Sequence, residues 1–205
     1  MLQNLEGDHR IVLEFDSTVT HIVTAVEKDS LIAQRRTMKL MRGIAEGKWI
    51  VGIEWAERCL KEKKFVREDD FEAVASGTDS DVVPQGPQRS RLAFARGERL
   101  LNGWKVFPTD HPEGVDPAEL AALITTLGGQ VLSAAPTEPD PDGRTVIIVG
   151  GDSVRYDDRD DECDCVPVCE FEYLFDCITS YSVLPCEDYL FLEVGYEEDC
   201  SQELL

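Results

Sequence analysis

The sequence predicts an α/β protein made of two related units, and three observations carry that prediction. Short β-rich runs alternate with helical patterns, as in THIVT, RTMKLMRGIAEG, WIV and IEWAERCL. Trp49-Ile50-Val51 is an apolar run too brief for a helix, and it suits a strand covered on both faces. The third observation is an internal repeat at a shift of 118 residues. Ile53-Glu54-Trp55-Ala56-Glu57-Arg58-Cys59 aligns with Phe171-Glu172-Tyr173-Leu174-Phe175-Asp176-Cys177, and without a gap Asp69-Asp70-Phe71 meets Glu187-Asp188-Tyr189. An aromatic residue and a cysteine one helical turn apart, followed at fixed distance by acid, Asp and aromatic, mark a duplicated unit.

Taken in order, residues 1–8 read as the last turn of a helix ending at Gly7. Arg10–Phe15 and Thr20–Thr24 read as two strands joined by Asp16 and Ser17, and Lys28–Gln34 as a polar connection. Thr37 suits an N-cap, and Met38, Met41, Ile44 and Ala45 fall three or four apart on one helix face, with Gly47 placed to end the helix. Trp49–Val51 follows as a strand, and Trp55, Cys59 and Leu60 form the apolar stripe of a second helix. Gly, Pro, Ser and Asp dominate the stretch after residue 73, which reads as a linker. Beyond it, Trp104–Phe107 reads as a strand and Asp116–Leu127 as a helix stopped by Gly128-Gly129. Gln130–Leu132, Thr145–Val149 and Val166–Val168 are further strands, Glu170–Tyr181 is a last apolar helix, and Tyr189–Val194 is an extended tail. Residues 150–165 lack any apolar period and read as a solvated acidic loop in place of a helix. The organisation is therefore a first repeat over 1–73, a linker over 74–98, a second repeat over 99–196 and a tail over 197–205. The first repeat reads as lacking its first strand, since the strand and helix that open the second repeat have no counterpart after Met1, and the chain reads as a fragment or truncated product.

Charge is divided unevenly. Up to Trp104 there are 16 Lys+Arg against 17 Asp+Glu, and beyond it 4 against 24, within a net charge of −21. The acidic half repels bare nucleic acid, so neither general nor sequence-specific DNA binding is expected, and a basic protein or peptide is the better electrostatic match. No run of 18 apolar residues occurs, and no membrane partner is expected. Seven cysteines show no spacing of a secreted disulfide scaffold, and Cys59 and Cys177 on apolar stripes read as reduced core residues.

Thr37 and Lys39 admit two readings from the residues alone. One is an ordinary cap followed by a solvated lysine. The other is an anion pocket made of the hydroxyl, the free amides of the first helical turn and the ammonium, which would suit a phosphate. Three enzymatic or metal patterns fail. Gly43-x-x-x-Gly47-Lys48 has the wrong spacing for a phosphate loop and ends a helix instead of opening one. Cys163-x-Cys165-x-x-x-Cys169 has no histidine nearby and carboxylates all round, so no metal site is expected. Asp16, Ser17 and His21 share one turn and strand without a nucleophile elbow. No catalytic residue and no cofactor are expected.

The residues THIVT, RTMKLMRGIAEGKWIV, WAERC and DDFE resemble a first repeat of the tandem BRCT family of phosphopeptide-binding type, with its Gly-Gly after the first helix of a repeat and its aromatic-x-x-x-Cys on the last. EFDSTVTHIV, QGPQRSRL, GGQVLS and LP are most similar to the BARD-type branch of that family, whose members carry a RING domain elsewhere and pair with a BRCA-type RING protein. The resemblance implies two repeats, each a small parallel sheet flanked by helices and packed through those helices. It further implies that phosphoserine is held by a hydroxyl residue and backbone N–H of the first strand together with a Thr-x-Lys pair on the second helix. Thr37 and Lys39 match that pair. Arg36 falls where the family contacts peptide backbone, and Met41 where related repeats often place an aromatic residue in a specificity pocket. The implied setting is nuclear: DNA-damage response, phosphorylated protein, ubiquitin-marked nucleosomes and a ubiquitin-ligase complex.

Overall fold

The computed structural model describes residues 9–76, 85–109, 114–136, 138, 140–149 and 166–190. The expected helix turn at 1–8, the acidic run 150–165 with Cys163 and Cys165, and the tail beyond Leu190 lie outside these residues. Within them the architecture is mixed α/β with parallel sheets, as the alternation of patterns predicts.

The second unit holds the fuller sheet. Strand β5 (Lys105–Pro108) is central, flanked by β6 (Gln130–Val131) and β7 (Thr145–Val149), with β8 (Val168–Glu170) outside β7, all parallel. Helix α4 (Pro117–Thr126) connects β5 to β6, capped by the Asp116 carboxylate on the Ala118 amide at 2.8 Å, with Pro at its start and Gly128 at φ +88° just past its end. Helix α5 (Phe171–Ser180) follows β8 directly.

The first unit is a pair of parallel strands, β1 (His21–Thr24) and β3 (Trp49–Gly52), crossed over by α1 (Met38–Ala45) and followed by α2 (Ile53–Glu62). A two-residue strand β2 (Ile32–Ala33) pairs with β4 (Ala75–Ser76), within the stretches expected to be polar connection and linker respectively. Arg10–Phe15, expected as a strand, runs irregularly and mostly exposed, with Leu13 85 % exposed. β propensity alone does not make a strand: the run lacks a paired neighbour to take its backbone hydrogen bonds. Among the described residues, nothing in the first unit corresponds to β5 or β6.

The shift of 118 residues holds in three dimensions. The Trp55 indole N–H donates to the Val66 carbonyl at 3.0 Å, and the Tyr173 hydroxyl donates to the Leu184 carbonyl at 3.1 Å. The Val66 amide donates to Cys59 Sγ, and the Leu184 amide to Cys177 Sγ. Lys63 and Tyr181, each just past its helix, are both left-handed, with φ of 57° and 46°. A single 3₁₀ turn follows at Asp69–Phe71 and at Glu187–Tyr189, and the chain then bridges back to the strand, Glu72 to Val51 and Leu190 to Cys169. The aromatic-to-cysteine signature is thus the internal brace that folds the segment after each last helix against it. As expected, Cys59 and Cys177 are buried and free.

One core runs between the units, built from Leu40, Met41, Ile44 and Ala45 of α1 against Leu120, Leu123 and Ile124 of α4 and Phe171, Leu174 and Ile178 of α5. Burial of such a continuous apolar seam fixes the two units against each other. Part of the stretch read as linker adds to it. Gly86–Ala95 is a helix, α3, with Pro87 at its start, and it packs on both units. Ser90, fully buried, donates its hydroxyl to the Ile44 carbonyl, and Arg91 grips Glu72 in two bonds of 3.1 and 2.9 Å while lying 3.5 Å from the Trp49 ring centre. On the other side Arg89 donates to the Ser180 carbonyl at 3.2 Å, and a Cβ on Gly86 would stand 1.7 Å from the Thr179 carbonyl oxygen. Glycine is present there because two backbones touch.

Candidate functional site

Helix α1 places the candidate residues. Thr37 has extended backbone (φ −100°, ψ 154°), and its hydroxyl accepts from the Leu40 amide at 3.3 Å, so it is a true N-cap. The first turn holds no acidic side chain, which leaves the positive end of the helix uncompensated by its own residues. Lys39 sits in that turn, and both Thr37 and Lys39 are exposed. Arg42 follows one turn later on the same side, three residues from Lys39. These groups open on a surface cleft lined by Glu14, Phe15, Thr37, Met38, Lys39, Arg42 and Glu119.

The cleft joins both units, since Glu119 comes from α4 and its carboxylate is 4.0 Å from the Arg42 guanidinium. Its far wall is the irregular segment after Arg10. The Lys39 ammonium donates to the Leu13 carbonyl, and the Arg42 guanidinium carbon lies 4.5 Å over the Phe15 ring. That segment is pinned by Asp16, which accepts from the Thr18 amide at 2.7 Å and from Arg10 at 3.1 Å. The hydrogen bonds from Thr18 hold the Asp16 carboxyl below its ordinary range.

The two residues expected on the peptide side are held by contacts within the chain. Arg36, just before the cap, forms an ion pair of 2.5 Å with Asp176 on α5, and the Tyr189 hydroxyl donates to the other oxygen of that carboxylate at 2.8 Å. Met41 has no exposed surface and packs in the main core, so it does not line a surface pocket in this structure. Its helix position decides this: it shares the apolar face with Ile44 and Ala45, which the seam between the units covers. Residues the sequence did not single out, Phe15, Arg42 and Glu119, complete the cleft. Arg42 was legible from its spacing to Lys39, whereas Phe15 and Glu119 arrive by tertiary folding.

The set Asp16, Ser17 and His21 is not assembled. His21 stacks on Trp55 at 4.8 Å and near Trp49 at 6.5 Å between ring centres, and its nitrogens meet Thr20 Oγ1 at 2.8 Å and Glu68 at 3.1 Å. Its surroundings are those of a packed structural histidine. Among the described residues no group of three or more His, Cys, Asp or Glu stands ready to hold a metal ion, and no helix is long and apolar enough to cross a membrane.

Comparison with known proteins agrees with the duplicated fold. Residues 99–190 match the family model of the BRCT domain. The chain is 31 % identical over 198 residues to BRCA1-associated RING domain protein 1 of Homo sapiens, covering 85 % of this chain and 23 % of that protein. With the Mus musculus protein of the same name it shares 33 % identity over 166 residues, covering 80 % of this chain and 19 % of that one. It thus spans less than a quarter of the length of these relatives. Among solved structures, the BRCT5-BRCT6 domains of S. pombe Brc1 superpose with a TM-score of 0.52 at 17 % identity, covering 80 % of this chain and 78 % of that one. With the family match on the second unit, the brace repeated at 118 residues in the first, and relatives that align across both, the chain belongs to the BRCT domain family as a tandem, BARD-like pair of repeats.

Proposed function

We propose that this chain is a binding module that takes phosphorylated protein through the cleft at the start of α1, with Thr37 and Lys39 as the phosphate-holding groups and Arg36 beside them on the peptide side. The observation that carries the reading is that the cap hydroxyl, an acid-free first helical turn, the Lys39 ammonium and the Arg42 guanidinium open on one cleft. Together they supply directed donors and positive charge, which is what a phosphate dianion needs. Met41 would act on this site only through the helix it anchors.

The similarity to BRCA1-associated RING domain protein 1 supports a wider setting. In it the chain is part of a nuclear DNA-damage-response ubiquitin-ligase subunit that pairs with a BRCA-type RING protein and recognises modified chromatin, including ubiquitin-marked nucleosomes. Ligase chemistry would belong to a RING outside these residues.

A second reading, a scaffold that binds folded partners with a non-functional phosphate pocket, is favoured by one observation: Lys39 already donates to the Leu13 carbonyl, and Glu14 and Glu119 stand at the cleft. Fluorescence anisotropy separates the two. A phosphoserine peptide library should bind more tightly than its dephosphorylated copy, and Lys39→Ala should erase the difference. Equal binding of both libraries leaves the scaffold reading.

A further inference from the structure

The cations at the cleft are already engaged by the chain itself. Leu13, Glu14 and Phe15 lie across the residues assigned to phosphate: the Leu13 carbonyl takes the Lys39 ammonium, the Phe15 ring sits under the Arg42 guanidinium, and Glu14 lines the same cleft. We propose that Leu13–Phe15 is an intramolecular strap that engages the cations of the phosphate cleft as a pseudo-ligand, and that a phosphorylated partner binds by displacing it. This inference rests on the phosphopeptide reading given above.

The strap has the properties of a displaceable occupant. It forms no strand, and Leu13 is 85 % exposed while Phe15 is only half-buried. Its hold on α1 comes chiefly from one carbonyl on an ammonium and one half-buried ring beneath a guanidinium. Both contacts spend the positive charge of the cleft on weak neutral acceptors, whereas a phosphate offers the same two cations a full opposite charge. Glu14 adds a carboxylate at the entrance, which repels an incoming anion. The strap is anchored at its far end by the cluster of Arg10, Asp16 and Thr18 and by Lys48, whose ammonium lies 3.4 Å from the Ser17 carbonyl. It can swing off without leaving the protein.

The test compares the intact chain with Glu14→Gln and with Phe15→Ala, using a fluorescent phosphoserine peptide library and its dephosphorylated copy. Removing the ring beneath Arg42 should tighten phosphate-dependent binding by about threefold, the equivalent of one exposed cation–π contact. Glu14→Gln, at an exposed position that does not threaten folding, should shift affinity in the same direction. Amide NMR of the intact chain gives an independent readout: saturating phosphopeptide should move the resonances of residues 13–15 toward those of an unstructured chain. Phosphate-dependent binding with unchanged or weaker affinity in both variants, or no such movement of the resonances at 13–15, overturns the strap and leaves the phosphopeptide reading standing. Absence of phosphate dependence in the intact chain and in both variants overturns both.

Discussion

Arg36 of the first repeat and Asp176 of the second stand 2.5 Å apart, each about four-fifths buried, and Tyr189 bonds the same carboxylate. The pair ties the residue just before the Thr37 cap to the last helix of the other repeat, so the packing of the two units and the shape of the cleft share one contact. Removing one partner of a largely buried pair leaves the other charge without its match. Asp176→Ala should cost about 2 to 3 kcal/mol in urea denaturation, and a double-mutant cycle with Arg36→Ala should show a coupling of about 1 kcal/mol or more. Additive losses would show that the two residues act independently.

Gly86 makes the corresponding statement for α3. Its Cα lies against the Thr179 carbonyl, where a methyl group has no room, while a Cβ on Gly97 would meet nothing within 4 Å but the backbone there has φ +77°. Gly86→Ala should therefore force α3 off α5 and cost about 3 kcal/mol, and Gly97→Ala should cost only the backbone strain of about 1 kcal/mol. Thermal unfolding of the two variants side by side checks the order. Equal costs would mean that α3 adjusts freely.

These contacts mark the boundary of what the sequence discloses. The duplication was legible because Trp55 and Cys59, like Tyr173 and Cys177, brace the same turn, and that brace requires particular residue types at a fixed spacing. Helix α1 and its cap were legible from local pattern, and so were Thr37 and Lys39. Helix α3 was hidden, since its Gly, Pro, Ser and Arg content is that of a linker and its helicity is stabilised by packing on two units, not by propensity. Arg10–Phe15 failed in the opposite sense: its residues favour a strand, but pairing is a tertiary event that nothing local announces. Met41 shows why a helix face cannot be assigned by family position alone, because the seam between the units claims it.

Alkaline pH should unfold the second repeat. Burial raises the Cys177 thiol to about 11 and the Cys169 thiol to about 12, from an ordinary value of 9.0, and burial also raises Tyr173. A group whose folded value is raised stabilises the fold fully below its unfolded value and loses that contribution as pH climbs through the folded one. Stability should thus hold to about pH 9 and fall beyond it, by about 1.4 kcal/mol per pH unit for each such group. Urea denaturation under reducing conditions at pH 7.5 and 10.5 measures the loss. Cys169→Ala should narrow the difference between the two pH values by about 2 kcal/mol, even though it lowers stability at both. An unchanged difference would assign the alkaline loss to other groups.

Thr37 has two duties, capping α1 and facing the cleft, and a change of charge at the same position separates them. Thr37→Ala removes the acceptor for the Leu40 amide, so it should cost about 1 kcal/mol of stability and weaken phosphopeptide binding together. Aspartate caps a helix at least as well as threonine and places a negative charge at the positive end of α1, whose first turn holds no other acid. Thr37→Asp should therefore keep stability within about 0.5 kcal/mol of the parent while abolishing phosphate-dependent binding, since the new carboxylate occupies the place of the anion. Thr37→Ser, which preserves the hydroxyl, should retain both properties. Urea denaturation and anisotropy on the three variants give the answer. A Thr37→Asp protein that still prefers the phosphorylated library would move the phosphate away from the start of α1, because a carboxylate and a phosphate cannot share one helix terminus without repulsion that the binding energy would have to overcome.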